Sequence, residues 1–134
     1  MAVRGASNNL ANRPNSTGTS ARLDNPTSDR WFDTTQFVNP PLFTYGNVSR
    51  TLPDVRSPGI VDFDLSAIKD TAITERTKLQ FRAEAFNFVN HRNLGTPNAS
   101  FSAGANGLNA SSSFGTITSA RDPRIMQLGL KLIF

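Results

Sequence analysis

The sequence predicts an all-β fold of antiparallel strands, and three observations carry that prediction. Three segments alternate apolar and polar residues, at 59–68, 77–89 and 125–134. Sequence rich in Asn, Ser, Gly and Pro, which is typical of turns, lies before and between them. No apolar run approaches the roughly 18 residues of a membrane-spanning helix. A period of two gives each strand one apolar face and one polar face.

Residues 1–58 form a separate predicted region, because their composition is that of loops and turns. Within this region we expect only the stretch 30–38 to pack, since it contains Trp31, Phe32 and Phe37. We expect these three side chains to fix a long loop against itself or against the rim of a barrel, rather than to mark a ligand site.

The first two predicted strands each carry charges on one face only. Apolar residues occupy the odd positions of 61–67 and of 79–85. A short turn at 69–76 joins the two strands, and a long segment at 90–123 follows the second. The charged residues that alternate with the apolar rows are Asp62, Asp64, Lys78, Arg82 and Glu84.

The third predicted strand ends the chain and indicates a membrane. Its apolar row is stable in an apolar medium, whereas the C-terminal carboxylate of Phe134 must stay in water. A strand that crosses a bilayer in a barrel wall meets both demands, with lipid outside and a polar lumen inside. Lys131 also lies opposite the apolar row, which comprises Met126, Leu128, Leu130, Leu132 and Phe134. The fold class is therefore the last three strands of a transmembrane outer-membrane β-barrel after a long, loop-rich N-terminal half.

The lengths of the connections give the orientation of these strands. Outer-membrane barrels have short periplasmic turns and long extracellular loops. If the chain ends in the periplasm, the segment 90–123 is extracellular, the turn 69–76 is periplasmic and 1–58 is extracellular. The order of long, short and long connections agrees with this arrangement.

Other function classes have little support in the sequence. The chain has no Cys and one His, so we expect no metal site and no cofactor. Its net charge of +4 comes from scattered arginines without a basic run, which argues against a nucleic-acid partner. Asp62 and Asp64 lie about 6.6 Å apart along a strand, but no desolvated pocket accompanies them, and facing Lys78 and Arg82 across the hairpin is a sufficient role. We expect no catalytic residue.

Several stretches together resemble one family. The C-terminal pattern Gln127, Gly129, Leu132 and Phe134 looks like the signal by which barrel-assembly machinery recognises an outer-membrane protein. The whole chain is similar to the closing stretch of Oar-like TonB-dependent receptors. The segments that carry this likeness are Asn12-Arg-Pro-Asn15, Arg30-Trp-Phe-Asp-Thr-Thr-Gln-Phe37, Tyr45-Gly-Asn-Val-Ser-Arg50, Pro58-Gly59, Leu79-Gln-Phe-Arg-Ala-Glu-Ala-Phe-Asn-Phe-Val-Asn-His91 and Phe114-Gly-Thr-Ile-Thr-Ser-Ala-Arg-Asp-Pro-Arg124.

The resemblance implies a bacterial outer-membrane receptor with about 22 strands and an internal plug. Its partners would be outer-membrane lipid, the assembly machinery, the remaining barrel and plug, and a TonB-type energy coupler that acts through parts absent here. Three strands do not close a barrel, and the first residues lack the apolar core of a secretion signal, so we expect a fragment without transport activity of its own. The alternative is a soluble all-β binding or adhesion module, in which the apolar faces form a sandwich core.

Overall fold

The structure is a computed structural model that describes residues 1, 3–4 and 13–134; Asn12 of the first resembling segment lies outside the described residues. The chain divides into two compact units. The loop unit comprises Met1–Pro58 and Leu94–Ser119, and the sheet unit comprises Gly59–Asn93 and Ala120–Phe134. Most of the segment 90–123 therefore groups with the first 58 residues rather than with the strands.

The loop unit has little regular structure. Strand β1 (Asn15–Ser16) pairs antiparallel with β2 (Phe37–Val38). A single 3-10 turn, Thr34–Gln36, precedes β2 and begins after Asp33, whose carboxylate accepts a hydrogen bond from the Thr35 N–H. Asn, Ser and Thr side chains satisfy many of the remaining backbone groups, as their abundance in the sequence suggests. One such bond runs from the Ser16 N–H to Asn47 Oδ1 at 2.6 Å.

The loop unit has a hydrophobic core of its own. The rings of Phe32, Phe37 and Phe114 pack edge to face on one another, with centroids 5.1 to 5.8 Å apart. Phe101 packs edge to face on Phe114 at 5.8 Å. Trp31 lies at the margin of this core and donates from Nε1 to the Arg56 carbonyl at 2.7 Å. The other buried members are Val3, Ala21, Val48 and Val55.

This core agrees with the prediction that the aromatics of 30–38 fix a loop against itself. The expectation that only 30–38 packs within 1–58 was wrong, because Val3, Ala21, Val48 and Val55 are also buried in the core. Phe101 and Phe114, from the segment 94–119, complete this core. Long loops that bury aromatic side chains together can order their backbone without strands or helices.

The sheet unit is one three-stranded antiparallel sheet. Its strands are β3 (Leu65–Ala72), β4 (Lys78–Phe86) and β5 (Ile125–Ile133), in the order β3-β4-β5. A tight turn joins β3 to β4, with the Ile73 N–H donating to the Thr77 carbonyl at 2.9 Å. Among the described residues, no helix is long and apolar enough to cross a membrane.

The first predicted strand, 59–68, is displaced in the structure. β3 begins at Leu65 and continues to Ala72, so the first half of the predicted turn 69–76 is strand. The residues before Leu65 are held by other groups: both backbone groups of Val61 bond to the Asn93 side chain, and the Phe63 carbonyl accepts from the Phe88 N–H. Alternation in the sequence therefore starts before the regular ladder does.

The other two strands lie within the predicted limits of 77–89 and 125–134. β4 ends at Phe86 because Asn87 adopts a left-handed backbone conformation, with φ of 48°. Phe86 and Phe88 interrupt the alternation because the strand has already ended between them. The ladder from Lys78 to Phe86 pairs residue by residue with β5, without a bulge in these residues. β5 ends at Ile133, one residue before Phe134.

Candidate functional site

The pairing register gathers apolar side chains on one face of the sheet. Ala67 pairs with Ala83, and Ala83 pairs with Leu128. Directly paired residues of antiparallel strands point to the same side, so the odd positions of β3 and β4 share a face with the even positions of β5. We call this surface the apolar face. Its large members are Leu65, Leu79, Phe81, Met126, Leu128, Leu130 and Leu132.

Large side chains of the apolar face are exposed, whereas the small Ala85 on the same face is buried. Phe81 is 42% exposed, Leu128 is 73% exposed and Leu130 is 70% exposed. A soluble protein rarely leaves a contiguous apolar patch of this kind open to water, because apolar area removed from water contributes about 25 cal/mol per Å². The sheet is therefore built for an apolar surrounding or for an apolar partner.

The opposite face, which we call the polar face, carries the predicted lumen-facing residues of β4. Arg82 and Glu84 form an ion pair at 3.5 Å, and the Gln127 amide donates to the Glu84 carboxylate across the β4–β5 ladder. On the β3 side, the Gln80 amide donates to Asp70 Oδ1 at 2.9 Å. Lys78 lies on this face at the end near the turn, opposite Ala72 and Ile133.

Asp62 and Asp64 do not take the places predicted for them. The expectation that they face Lys78 and Arg82 across the hairpin was wrong, because Arg82 pairs with Ile68 and Lys78 pairs with Ala72. Both aspartates precede β3 and line a cavity of about 450 Å³ at the other end of the sheet. Asp64 Oδ1 there accepts the Asn87 N–H at 3.0 Å. The displaced start of β3 is the reason for the difference.

Two buried asparagines join the segments at that end of the sheet. The Asn87 side chain accepts from the His91 N–H and donates to the His91 and Asp122 carbonyls, at 3.0, 3.0 and 3.3 Å. The Asn93 side chain bonds to both backbone groups of Val61. The three segments before β3, after β4 and before β5 are thus tied together by side chains; we call this arrangement the asparagine clamp.

The sequence analysis did not single out either asparagine. Their burial could not be inferred from residue type, since Asn is usually exposed. The sequence nonetheless contains an indication of these side-chain hydrogen bonds, because three Asn residues lie close together at the end of the second strand, at 87, 90 and 93. Asn90 also takes part, as its side-chain oxygen accepts the Arg124 N–H at 3.0 Å.

A family model described as "Outer membrane beta barrel domain" matches residues 2–127. The chain belongs to this family. The barrel domain is accordingly a component of the bacterial outer membrane. No curated protein matches the chain. No solved structure matches it either.

Membership in this family decides between the two classes left open by the sequence. A soluble binding or adhesion module would bury the apolar rows in a sandwich core, whereas the barrel domain leaves Phe81, Leu128 and Leu130 exposed. The alternative of a soluble module is therefore not retained. The all-β fold class and the outer-membrane location are confirmed.

Three of the four residues of the predicted assembly signal lie on β5, where they are distributed over both faces. Leu132 is on the apolar face, and Gln127 and Gly129 are on the polar face. Phe134 lies beyond the strand and is 89% exposed. A Cβ added at Gly129 would meet the Arg82 Cβ at 3.7 Å, an ordinary contact, so packing within this sheet does not require glycine there.

In the loop unit of the barrel domain, two carboxylates are held by nearby donors. Hydrogen bonds from Gln36, and further ones from Thr35 and Arg30, lower the pKa of Asp33 to about 2, against a smaller opposing effect of burial. A hydrogen bond from the Ser20 hydroxyl, at 2.5 Å, lowers the pKa of Asp54. Both aspartates fix turns of the loop unit rather than form an acid–base pair.

The described residues contain no group of three or more His, Cys, Asp or Glu side chains that could hold a metal ion. His91 Nδ1 lies 3.0 Å from Asn93 Oδ1, which makes its ring part of the asparagine clamp. A second cavity, of about 400 Å³, lies in the loop unit between 16–21 and 47–54, with Phe37 among its lining residues.

Proposed function

We propose that this chain is the C-terminal part of an Oar-like TonB-dependent receptor and contributes three strands and their loops to a larger barrel. Transport then belongs to the assembled receptor, with its remaining strands and plug and a TonB-type energy coupler, and not to these strands acting alone. The observation that carries the proposal is the exposed apolar face on a sheet whose two edges, β3 and β5, pair with no strand of the described chain.

Unpaired strand edges are the physical reason to expect more of the barrel. In hydrocarbon each unsatisfied backbone group costs several kcal/mol, so a spanning sheet must close on itself. The smallest bacterial barrels have about eight strands. The three strands here would supply one arc of the wall, with β3 and β5 bonded to neighbouring strands.

The polar face fits the lumen of such a barrel. Arg82, Glu84 and Gln127 form a hydrogen-bonded group there, and no such group exists on the apolar face. We assign the loops at 1–58 and 90–123 to the extracellular side and the turn between β3 and β4 to the periplasm. Ligand contacts would then belong to those loops, since binding residues are disproportionately found on loops held by a rigid scaffold.

Recognition by the barrel-assembly machinery is the second part of the proposal. Gln127, Gly129, Leu132 and Phe134 would form the recognised signal, and their exposure on β5 leaves them accessible to a partner strand. We propose no enzymatic role, cofactor or nucleic-acid partner for any residue of the chain.

The proposal is tested by complementation with a truncated receptor. An Oar-like receptor that lacks its last three strands is expressed with residues 59–134 of this chain fused at its end. We expect a barrel whose electrophoretic mobility changes on heating, as folded outer-membrane barrels show. A matched fusion with Leu128→Arg and Leu130→Arg should fail. Failure of the native fusion to assemble, while the authentic receptor does, would contradict the proposal.

A further inference from the structure

One cation on the apolar face departs from the separation of charges between the two faces. The register pairs Lys69 with Phe81, and Phe81 with Leu130, so the Lys69 side chain starts among apolar neighbours. The sequence-based prediction had placed Lys69 in the turn, where a charge needs no explanation. In the structure it lies inside β3 and is exposed.

The position of Lys69 along the strand determines where its ammonium group can go. Lys69 lies three positions before Ala72, the last residue of β3, which is about 10 Å along the strand. With the tilt of roughly 40° usual for barrel strands, the vertical distance is about 8 Å. An extended lysine side chain spans roughly 6 Å. The ammonium group can therefore approach the level of Ala72 to within about 2 Å while its methylene stem stays against the apolar face.

Two further donors lie near this end of the hairpin, where the turn also carries the exposed acid Glu75. Thr71 is the next residue of β3 on the apolar face and carries a hydroxyl donor between Lys69 and the turn. Arg76 is exposed within the turn. Within the described residues, neither Asp nor Glu approaches the Lys69 ammonium within 4 Å. Lys69 therefore has no anionic partner among the described residues.

We propose that Lys69, assisted by Thr71, is a binding site for the phosphate group of an anionic glycerophospholipid at the membrane surface nearest the β3–β4 turn. Where the barrel wall meets that surface, the headgroup phosphates form the layer of negative charge within reach of a snorkelling lysine. The inference rests on the outer-membrane location of the domain and not on its identity as a receptor. The phosphate would accept hydrogen bonds from the ammonium and hydroxyl groups, without any covalent step.

The experiment measures lipid retention by the folded protein in the barrel that contains it. The purified barrel is exchanged into mild detergent with phosphatidylglycerol, and native mass spectrometry counts the lipid molecules that stay bound. Phosphatidylcholine serves as the zwitterionic reference. We expect the native protein to prefer phosphatidylglycerol, and Lys69→Met to lower that preference about fivefold, the effect of one basic residue near a membrane surface.

The control variants separate a specific site from general charge. Lys78→Met removes the same charge from the same hairpin but on the polar face, so it should leave the preference unchanged. Lys69→Arg should retain it. Because Met suits a lipid-facing position, Lys69→Met should fold at least as well as the native protein, which heat-modified mobility can verify.

Three results would overturn the inference. The first is an unchanged phosphatidylglycerol preference in folded Lys69→Met, which would mean that Lys69 binds a neighbouring strand or nothing. The second is an equal loss in Lys78→Met, which would mean that the effect is general. The third is stronger retention of lipid A than of phosphatidylglycerol through Lys69, which would assign the site to the other leaflet.

Discussion

The carboxamide of Asn93 bonds to both backbone groups of Val61, accepting from its N–H at 2.8 Å and donating to its carbonyl at 2.7 Å. A side-chain amide thus takes the place of a neighbouring strand for one residue of the segment that leads into β3. Asn93 is almost fully buried, and its backbone carbonyl accepts the Arg121 N–H at 2.8 Å. Asn93 therefore connects the segment before β3 with the segment before β5.

Replacing Asn93 by Ala should destabilise this end of the sheet. The substitution leaves two backbone groups of Val61 without their partners, and we expect the free energy of unfolding to fall by about 2 kcal/mol. Hydrogen exchange at the Val61 amide should become faster, while exchange in the middle of β4 should change little. Asn106→Ala, in the loop unit, serves as the control. Unchanged exchange at Val61 would show that water replaces the amide at no cost.

The clamp also shows what alternation in a sequence can and cannot predict. The faces of β4 and β5 follow from a period of two, and both strands were located to within three residues. The start of β3 did not follow, because 61–64 alternates like a strand but is bonded by the side chain of Asn93 and the backbone of Phe88. Such partners are remote in sequence, so local pattern carries no information about them.

The core of the loop unit was equally beyond local pattern. Phe114 contacts Phe32 and Phe37 across about 80 residues of chain, and loops rich in Asn and Ser carry no periodicity that would indicate which aromatics meet. Lys69 illustrates the opposite case. Its place on the apolar face follows from parity once β3 is known to extend to Ala72, and was missed only because the turn was drawn too long.

The loop unit should lose stability in acid through Asp33. Its carboxylate receives hydrogen bonds from Gln36, Thr35 and Arg30, and its pKa is lowered to about 2. A depressed pKa contributes stability above the ordinary value of about 4, and that stability is lost as the pH falls from there toward about 2.

Fluorescence of Trp31, the only tryptophan, can follow this titration. In the native protein the urea concentration at the unfolding midpoint should decrease as the pH is lowered from 4 to 2. The Asp33→Asn variant should have a lower midpoint at neutral pH, and its midpoint should depend less on pH. Asp29→Asn removes the same charge four residues away and should keep the native profile. If Asp33→Asn and the native protein have parallel profiles, hydrogen bonding to Asp33 does not stabilise the loop unit.

A charge placed on the apolar face should prevent membrane assembly. Leu128 is the fourth residue of the nine-residue β5, near mid-strand, and faces the same side as Ala83. Leu128→Arg should destabilise the folded barrel by roughly 2 to 4 kcal/mol, the cost of Arg on the lipid face near the bilayer midplane. The measurement is the fraction of heat-modifiable protein in isolated outer membranes.

A position on the opposite face of the sheet gives the matched control for that substitution. Ser66→Arg introduces the same side chain on the polar face of β3, directly opposite Glu84, and lies outside the proposed assembly signal. It should assemble nearly as well as the native protein. Equal loss of assembly in the two variants would mean that the two faces of the sheet do not meet different media.

Phe134 should matter for delivery and not for the stability of the sheet. It lies after the last residue of β5, is exposed, and makes no ring contact with any described aromatic residue. Phe134→Ala removes almost no packing, so the free energy of unfolding of the refolded barrel in detergent should change by less than about 0.5 kcal/mol.

If Phe134 is part of an assembly signal, the same variant should accumulate outside the outer membrane during expression. Gly129→Ala is a second variant that separates delivery from stability. Its added Cβ makes only an ordinary contact with Arg82, so any loss of delivery would not come from a clash within the sheet. A Phe134→Ala protein that reaches the outer membrane at the native level would remove Phe134 from the proposed signal, while a large loss of stability in detergent would mean that it packs against the barrel instead.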